Sequence, residues 1–176
     1  YLAGESMATV ARSALKKGQP LPIKHSARYV SVAASALSYA HNKADVSGKP
    51  LNIVHRDVSP HNLFVTYEGN VKVLDFGIAK AANRATRTVG NAVKGTMAYM
   101  SPEQVQGQDV DARSDVFALG VVLFEAVTYS RLFQRDEPGA VYKAVAFDPI
   151  PRAKERKPNL PDALDAIIAR ALERDV

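Results

Sequence analysis

Residues 114–128 are apolar on nearly every side of the helix that their spacing predicts. A helix without a polar face has to be covered by other elements all round, so we expect it at the centre of the fold. Its most apolar part, residues 116–127, is interrupted by Glu125 and is too short to span a bilayer. The rest of the chain is therefore expected to pack around one buried helix.

Apolar residues recur at helical spacing in four other stretches of the chain. The first of these stretches is followed by Gly18 and Pro20, two residue types that end helices. We predict further helices over residues 7–15, 26–41, 139–146 and 161–172.

The period changes between the second helix and the central one. Three short runs, 53–54, 63–65 and 71–74, are rich in β-branched residues, and residues 68–70 have the composition of a turn. Residues 79–95 show no periodicity and are predicted to form a long loop. Helices, a small β-hairpin and then more helices predict an α+β fold that is mainly helical.

The composition is that of a folded domain. The 176 residues are 47% hydrophobic and 23% charged, which allows a sizeable core in one domain. The net charge is +5, but the 23 basic residues are interspersed with 18 acidic ones, so no nucleic-acid partner is expected. The most basic run, 152–157, lies between prolines and is predicted to be a solvated loop. The absence of cysteine excludes disulfides and thiolate metal sites, and it fits a reducing compartment.

Two short motifs carry the chemistry of this sequence. Residues 55–62 are HRDVSPHN, and residues 75–77 are DFG. Phosphoryl transfer from ATP needs a carboxylate that orients the acceptor hydroxyl group, and oxygen ligands that hold Mg²⁺ against the phosphates. Asp57 suits the first task, and Asn62 and Asp75 suit the second. The short loop and the predicted hairpin would turn all three side chains toward one cleft.

Each of these residues also has a purely structural interpretation. Asp57 suits a turn, Asn62 can hydrogen-bond its own loop, and Asp75 can end a strand in a turn. Asp115, near the start of the central helix, is favoured there by the helix dipole. The functional interpretation is stronger because the motifs occur together and in order.

The two motifs resemble the catalytic loop and the metal-binding motif of protein kinases, which occur in this order. The resemblance covers essentially the whole chain. Residues 95–104 resemble the end of the activation segment in bacterial serine/threonine kinases of the eukaryotic type, and residues 111–120 resemble the start of their central helix. It implies that residues 1–176 are the C-terminal lobe of a kinase domain, without the N-terminal lobe and the last part of the C-terminal lobe.

The resemblance implies ATP and Mg²⁺ as cofactors and transfer of the γ-phosphate to Ser or Thr hydroxyl groups of proteins. Asp57 would orient the acceptor hydroxyl group, and Thr96 would hydrogen-bond near Asp57. Asn62 and Asp75 would hold the metal ion.

The resemblance also implies roles for residues on either side of these motifs. Leu2 would offer main-chain hydrogen bonds to adenine, and Phe64 would form the floor of the adenine pocket. Asp115 would cap the main chain of the turn at His55 and Arg56.

In this family the arginine before the catalytic aspartate pairs with a phosphate on the activation segment, and here that residue is Arg56. Thr86 and Thr88 are the candidate phosphorylation sites, and Arg84 and Arg87 flank them. Thr88 is the stronger candidate from its position in the segment. The alternative is that both threonines are ordinary solvated loop residues.

One residue departs from the family pattern. Ser59 stands where serine/threonine kinases usually have a lysine that contacts the transferring phosphate. A hydroxyl group supplies no positive charge to the transition state. Either the activity is reduced, or another cation substitutes, or this branch of the family tolerates serine. A pseudokinase that acts as a scaffold is therefore one alternative, and a small-molecule phosphotransferase of related fold is another.

The expected partners are protein substrates with Ser or Thr, ATP, the chain's own N-terminal lobe, and a second copy in a dimer for autophosphorylation. The Gly-rich loop, the strand lysine and its glutamate partner do not occur in residues 1–176, so these residues alone are expected to be inactive. The sequence shows no signal peptide or membrane span, so a cytoplasmic location is expected, with any membrane anchor outside these residues.

Overall fold

A computed structural model describes residues 2–76 and 95–174 of the chain. All five helices predicted from periodicity are present, together with a small antiparallel sheet, so the fold is mainly helical α+β as expected. In chain order the elements are β1 (Gly4–Ser6), α1 (Met7–Lys16), α2 (Ile23–His41), β2 (Leu63–Thr66), β3 (Val71–Val73), α3 (Pro102–Gln106), α4 (Ala112–Thr128), α5 (Pro138–Ala146), α6 (Ala153–Arg156) and α7 (Asp162–Ala171).

Helix α4 is the buried helix that the sequence predicted. Its Asp111 N-cap accepts a hydrogen bond from the backbone amide of Arg113, and the helix then runs through the core. It packs against α2 on one side and α7 on another. Gly120 allows the close approach of α7, because a Cβ atom there would lie 3.0 Å from Ala171 Cβ and 3.1 Å from Leu172 Cδ2.

The sheet has the order β1-β2-β3 and is antiparallel throughout. The hairpin of β2 and β3 confirms the predicted strands 63–65 and 71–74. Strand β1 was not predicted, and it joins the hairpin with Gly4 opposite Thr66. A Cβ atom at position 4 would lie only 2.3 Å from the carbonyl oxygen of Val65, so this close pairing requires glycine.

The prediction of a strand at residues 53–54 was wrong. Residues 51–58 are without helix or strand, although the segment is rich in β-branched residues. The next two amides, those of His55 and Arg56, donate to the side chain of Asp115 and not to a neighbouring strand. β-branched composition favours an extended backbone, but it does not supply a pairing partner.

The prediction of a solvated loop at residues 152–157 was also wrong in part. Helix α6 lies within this run, and Arg152 donates to the buried carboxylate of Asp165 from Nε (3.0 Å) and Nη2 (2.6 Å). The backbone amide of Lys154 donates to the other oxygen of the same carboxylate at 3.0 Å. One acidic residue of α7 therefore fixes the basic segment.

Two other expectations concern the predicted loop and the absence of a membrane-spanning helix. The predicted loop 79–95 lies outside the described residues except for its last residue, and Thr86 and Thr88 lie there too. Within residues 2–76 and 95–174, no helix is long and apolar enough to cross a membrane.

Candidate active site

The residues before Asp57 are anchored to the central helix through one buried carboxylate. Asp115 Oδ2 accepts a hydrogen bond from the amide of His55 at 2.8 Å, and Oδ1 accepts one from the amide of Arg56 at 2.9 Å. Oδ2 also lies 2.7 Å from Nε2 of His41, the last residue of α2. Arg56 has a φ of 65°, a left-handed conformation that a side chain disfavours, and these bonds hold it there. The predicted cap by Asp115 is therefore present.

Asp57 and Asn62 are in direct contact. Asn62 Nδ2 donates to the main-chain oxygen of Asp57 at 2.8 Å and to its carboxylate Oδ2 at 3.3 Å. The amide of Asn62 donates to the carbonyl of Ser59 at 3.0 Å, which closes the loop between the two residues. The loop therefore places both functional side chains on the same side, as their spacing suggested.

The third motif residue is brought to this loop by its neighbours. The amide of Leu74 donates to the carbonyl of Asn62 at 2.9 Å, and the Leu74 carbonyl lies 2.8 Å from His55 Nε2. The rings of His55 and Phe76 are in contact, with centroids 4.6 Å apart. Asp75, between these two fixed residues, has a φ of 56° and an exposed side chain. Asp75 therefore directly follows the residue that is bonded to Asn62.

The chemistry of this donor set fits Mg²⁺. Asn62 uses its amide nitrogen toward Asp57, and its amide oxygen is the atom that a hard cation prefers. Asp75 adds an exposed carboxylate. Mg²⁺ commonly combines one or two such protein oxygens with phosphate and water oxygens. In the described ranges, no group of three or more His, Asp or Glu side chains forms a separate metal cluster.

Leu2 and Phe64 lie in or next to the three-stranded sheet. Phe64 is on β2, two residues after Asn62, and its ring edge lies 2.8 Å from where a Cβ of Gly4 would stand. Leu2 precedes β1 and is half exposed, and the next carbonyl, that of Ala3, accepts from the amide of Tyr67 at 3.1 Å. Phe64 therefore lies on β2, and Leu2 lies just before the strand that pairs with it.

Thr96 and Ser59 line the same cavity, which has a volume of about 400 Å³. We call it the arginine-lined cavity. Its described lining residues are Ser59, His61, Gly95, Thr96, Ala98, Tyr99, Glu125, Arg131, Gln134 and Arg135. The hydrogen bond predicted for Thr96 near Asp57 stays a prediction. The structure therefore places the catalytic loop and the segment before α3 around one space.

The far wall of this cavity is formed by residues that the sequence motifs did not indicate. Glu125 Oε2 accepts from the hydroxyl group of Tyr99 at 2.7 Å and from Arg131 Nη1 at 2.7 Å, and Oε1 accepts from the amide of Leu132 at 3.1 Å. Arg131 Nη1 also contacts the Tyr99 hydroxyl oxygen. Burial, and then the charge of Glu125, raise the pKa of Tyr99, so it stays a neutral donor. The one signal in the sequence was Glu125, an acidic residue within the apolar run 116–127.

A family model described as the protein kinase domain matches residues 1–176. The chain belongs to the protein kinase family. This membership confirms the sequence-based identification of a protein kinase, and Asp57, Asn62 and Asp75 lie within the matched domain.

This kinase domain is similar to several curated bacterial kinases. It is 46% identical over 172 residues to the tyrosine-protein kinase MasK of Myxococcus xanthus, covering 98% of this chain and 27% of that protein. It is 35% identical over 174 residues to a probable serine/threonine-protein kinase of Clostridium acetobutylicum (99% and 25%). It is 40% identical over 161 residues to the serine/threonine-protein kinase PknB of Mycobacterium tuberculosis (89% and 24%). The chain thus spans about a quarter of the length of these relatives.

Proposed function

We propose that residues 1–176 form the acceptor-side lobe of a longer kinase that transfers the γ-phosphate of ATP, with Mg²⁺, to Ser and Thr hydroxyl groups of proteins. The observation that carries this proposal is the hydrogen-bonded link from Asp57 through Asn62 to Leu74, which brings Asp75 to the catalytic loop. Asp57 would supply the carboxylate that such a transfer requires, and Asn62 and Asp75 would supply the oxygen ligands for the metal ion.

Each residue has a defined task in the proposed reaction. The acceptor oxygen forms the new bond to phosphorus, the bond from phosphorus to the departing diphosphate breaks, and the hydroxyl proton passes to Asp57. Asn62 holds the Asp57 carboxylate and main chain in place. Asn62 Oδ1 and the Asp75 carboxylate would hold Mg²⁺, which neutralises charge on the phosphates when bound.

The nucleotide and the rest of the domain complete the proposal. Leu2 would offer its main chain to adenine, and Phe64 would support the ring from β2. Residues 1–176 contain no Gly-rich loop or strand lysine for the phosphates. We therefore expect them to be inactive by themselves, because correct positioning of ATP supplies much of the rate.

A tyrosine acceptor is the second candidate. The relative at 46% identity is named a tyrosine-protein kinase, whereas those at 35% and 40% are named serine/threonine-protein kinases. Ser59 adds to this question, since it replaces the lysine usual in serine/threonine kinases and lies on the cavity that also holds Thr96. The resemblance of residues 95–104 to bacterial serine/threonine kinases supports the first candidate.

The test uses the longer kinase and three peptide sets that differ only in the acceptor: Ser, Thr or Tyr. We expect Mg²⁺-dependent labelling of the Ser and Thr peptides and none with Asp57→Asn. Labelling of Tyr peptides alone would replace the proposed acceptor with tyrosine. Nucleotide binding without transfer to any peptide or to the kinase itself would support a pseudokinase.

A further inference from the structure

The arginine-lined cavity has an excess of positive charge among its described lining residues. Glu125 contributes one negative charge, and Arg131 and Arg135 contribute two positive charges. The cavity is next to the catalytic loop, because Ser59 and His61 line it and Ser59 follows Asp57 by two residues. A peptide whose acceptor residue reaches Asp57 therefore has flanking residues within reach of this space.

The carboxylate of Glu125 is occupied by the protein itself. Its two oxygens accept from Tyr99, Arg131 and the amide of Leu132, and its side chain is only 8% exposed. A basic side chain of a substrate would have to displace these bonds. The negative charge on this wall therefore serves to position Arg131 and is not presented to a ligand.

The two arginines differ in how their charge is used. Arg131 is paired with Glu125 through Nη1, yet its side chain is 56% exposed. Arg135 donates from Nη1 to the carbonyl oxygens of Leu132 (3.3 Å) and Gln134 (2.9 Å), which orient the guanidinium group without neutralising it. A guanidinium group has five N–H donors, so further donors of Arg135 can serve a carboxylate.

We infer that the arginine-lined cavity binds an acidic side chain, Asp or Glu, that lies close to the acceptor residue in the protein substrate, and that Arg135 is the residue that selects it. This inference rests on the proposed phosphorylation of proteins, and it holds for a Ser, Thr or Tyr acceptor alike. Arg131 adds positive potential to the cavity and is held in its wall by the ion pair with Glu125. The desolvated wall formed by Tyr99 and Ala98 strengthens the attraction.

The experiment compares three peptide libraries with the longer kinase, with Asp, Asn or Arg at each position near a fixed acceptor. The wild-type kinase is expected to favour Asp at one position by about tenfold in kcat/KM, the effect of one charge-assisted contact. Arg135→Gln should remove this preference, and Arg135→Glu should shift it to peptides with Arg at that position.

Arg156→Gln is the matched control. Arg156 carries the same charge and lines a neighbouring cavity of about 210 Å³, which Arg131 and Arg135 also line, but it is not among the described residues that line the arginine-lined cavity. This variant should keep the preference for Asp. Equal loss of preference in both arginine variants would mean a general charge effect and would overturn the inference. The inference would also be overturned if Arg135→Gln lowered kcat/KM equally for Asp and Asn peptides, because that result would assign Arg135 to the transferring phosphate.

A binding measurement separates this inference from the proposed function. Fluorescent peptides with Ala in place of the acceptor residue are titrated with the kinase, and their anisotropy gives the Asp-to-Asn affinity ratio without turnover. A ratio above one that is lost with Arg135→Gln supports the cavity even if no transfer is seen. Equal affinity of the two peptides overturns it, even in a kinase that is fully active.

Discussion

Gln104 donates a hydrogen bond from Nε2 to the main-chain carbonyl of Arg56, at 2.9 Å. Its Oε1 atom accepts from the amide (3.0 Å) and the hydroxyl group (3.3 Å) of Ser101, the N-cap of α3. A single side chain therefore caps one helix with its oxygen and holds the residue before Asp57 with its nitrogen. Helix α3 and the catalytic loop are joined directly.

The first prediction separates these two tasks of Gln104. Gln104→Glu keeps an acceptor for Ser101 but loses the donor to Arg56, so the cap should remain while the catalytic loop loosens. We expect kcat to fall about tenfold, since the partly buried carbonyl of Arg56 loses its donor and faces a carboxylate. Gln106→Glu, on the exposed side of the same helix, is the control. Equal rates for the two variants would show that the bond to Arg56 has no part in transfer.

The second prediction assigns Asp57 and Asp75 to different steps. Asp57→Asn and Asp75→Asn should both abolish phosphoryl transfer in the longer kinase. Asp57→Asn should leave the affinity for the Mg²⁺–nucleotide nearly unchanged, because the proposed task of Asp57 is at the acceptor hydroxyl group. Asp75→Asn should weaken that affinity, because it removes a proposed metal ligand. Calorimetric titration with a non-hydrolysable nucleotide measures both, and equal affinities would contradict these roles.

The third prediction concerns Asp115, which is buried and accepts three hydrogen bonds. Asp115→Ala should lower the free energy of unfolding by about 3–5 kcal/mol, because it leaves buried backbone amides and His41 without an acceptor. Asp111→Asn, one turn earlier and exposed, is the control, since Asn caps helices as well as Asp does. Urea unfolding curves give both values, and a similar small change in the two variants would contradict the prediction.

The fourth prediction is a pH dependence of stability. Burial raises the pKa of Asp165, but the donors from Arg152 and the amide of Lys154 outweigh burial, and the pKa lies below its usual value. A carboxyl group whose pKa is lowered on folding stabilises the fold above its unfolded pKa of about 3.9. This contribution is lost as the pH falls through the folded pKa.

Asp165→Asn should therefore be about 1–3 kcal/mol less stable than the wild type at pH 7, and the difference should shrink below about pH 4. The control is Asp162→Asn, whose partner Lys154 meets it at the surface, where Asp162 is 91% exposed. That variant should change stability by less than about 1 kcal/mol. A difference for Asp165→Asn that stays constant with pH would show that the contribution is not electrostatic.

The fifth prediction concerns regulation by phosphate. The main chain of Arg56 is bonded on both sides, by Asp115 and Gln104, so its guanidinium group extends from a fixed backbone. We expect mass spectrometry of the active kinase to find phosphate on Thr88, Thr86 or both, as a partner for this group. The double variant Thr86→Ala, Thr88→Ala should lose most activity. Unmodified threonines together with full activity in the double variant would exclude this regulation.

The five longer helices and the hairpin were predicted from the sequence, whereas strand β1 and the two shortest helices were not. The central helix was evident from its apolar surface, and the hairpin from its β-branched runs. Helices α3 and α6 have too few residues to show a period. Each begins where the side chain of its third residue accepts from the N-cap amide: Gln104 accepts from Ser101, and Glu155 accepts from Arg152. Strand β1 has the sequence Gly-Glu-Ser, which has low strand propensity, and it exists because β2 offers it a partner.

The candidate site likewise has residues that were predicted from the sequence and residues that were not. Asp57, Asn62 and Asp75 were predictable because short motifs hold them within twenty residues. The wall of the arginine-lined cavity was not, since Arg135 is more than seventy residues from Ser59 in the chain and no local pattern joins them. Only the fold of α4 and the turn that follows it brings these residues together.

Helix α4 carries Asp115 in its first turn and Glu125 in its last. Asp115 binds the catalytic loop at Arg56, and Glu125 binds Arg131 of the arginine-lined cavity. Ten residues of α-helix span about 15 Å, and this length can change only in steps of about 1.5 Å per residue. A one-residue insertion would also rotate Glu125 by about 100° about the helix axis. The spacing between the catalytic loop and the wall of the arginine-lined cavity is therefore set by the geometry of the helix. The same spacing would fix the number of peptide residues between the acceptor and the proposed acidic neighbour.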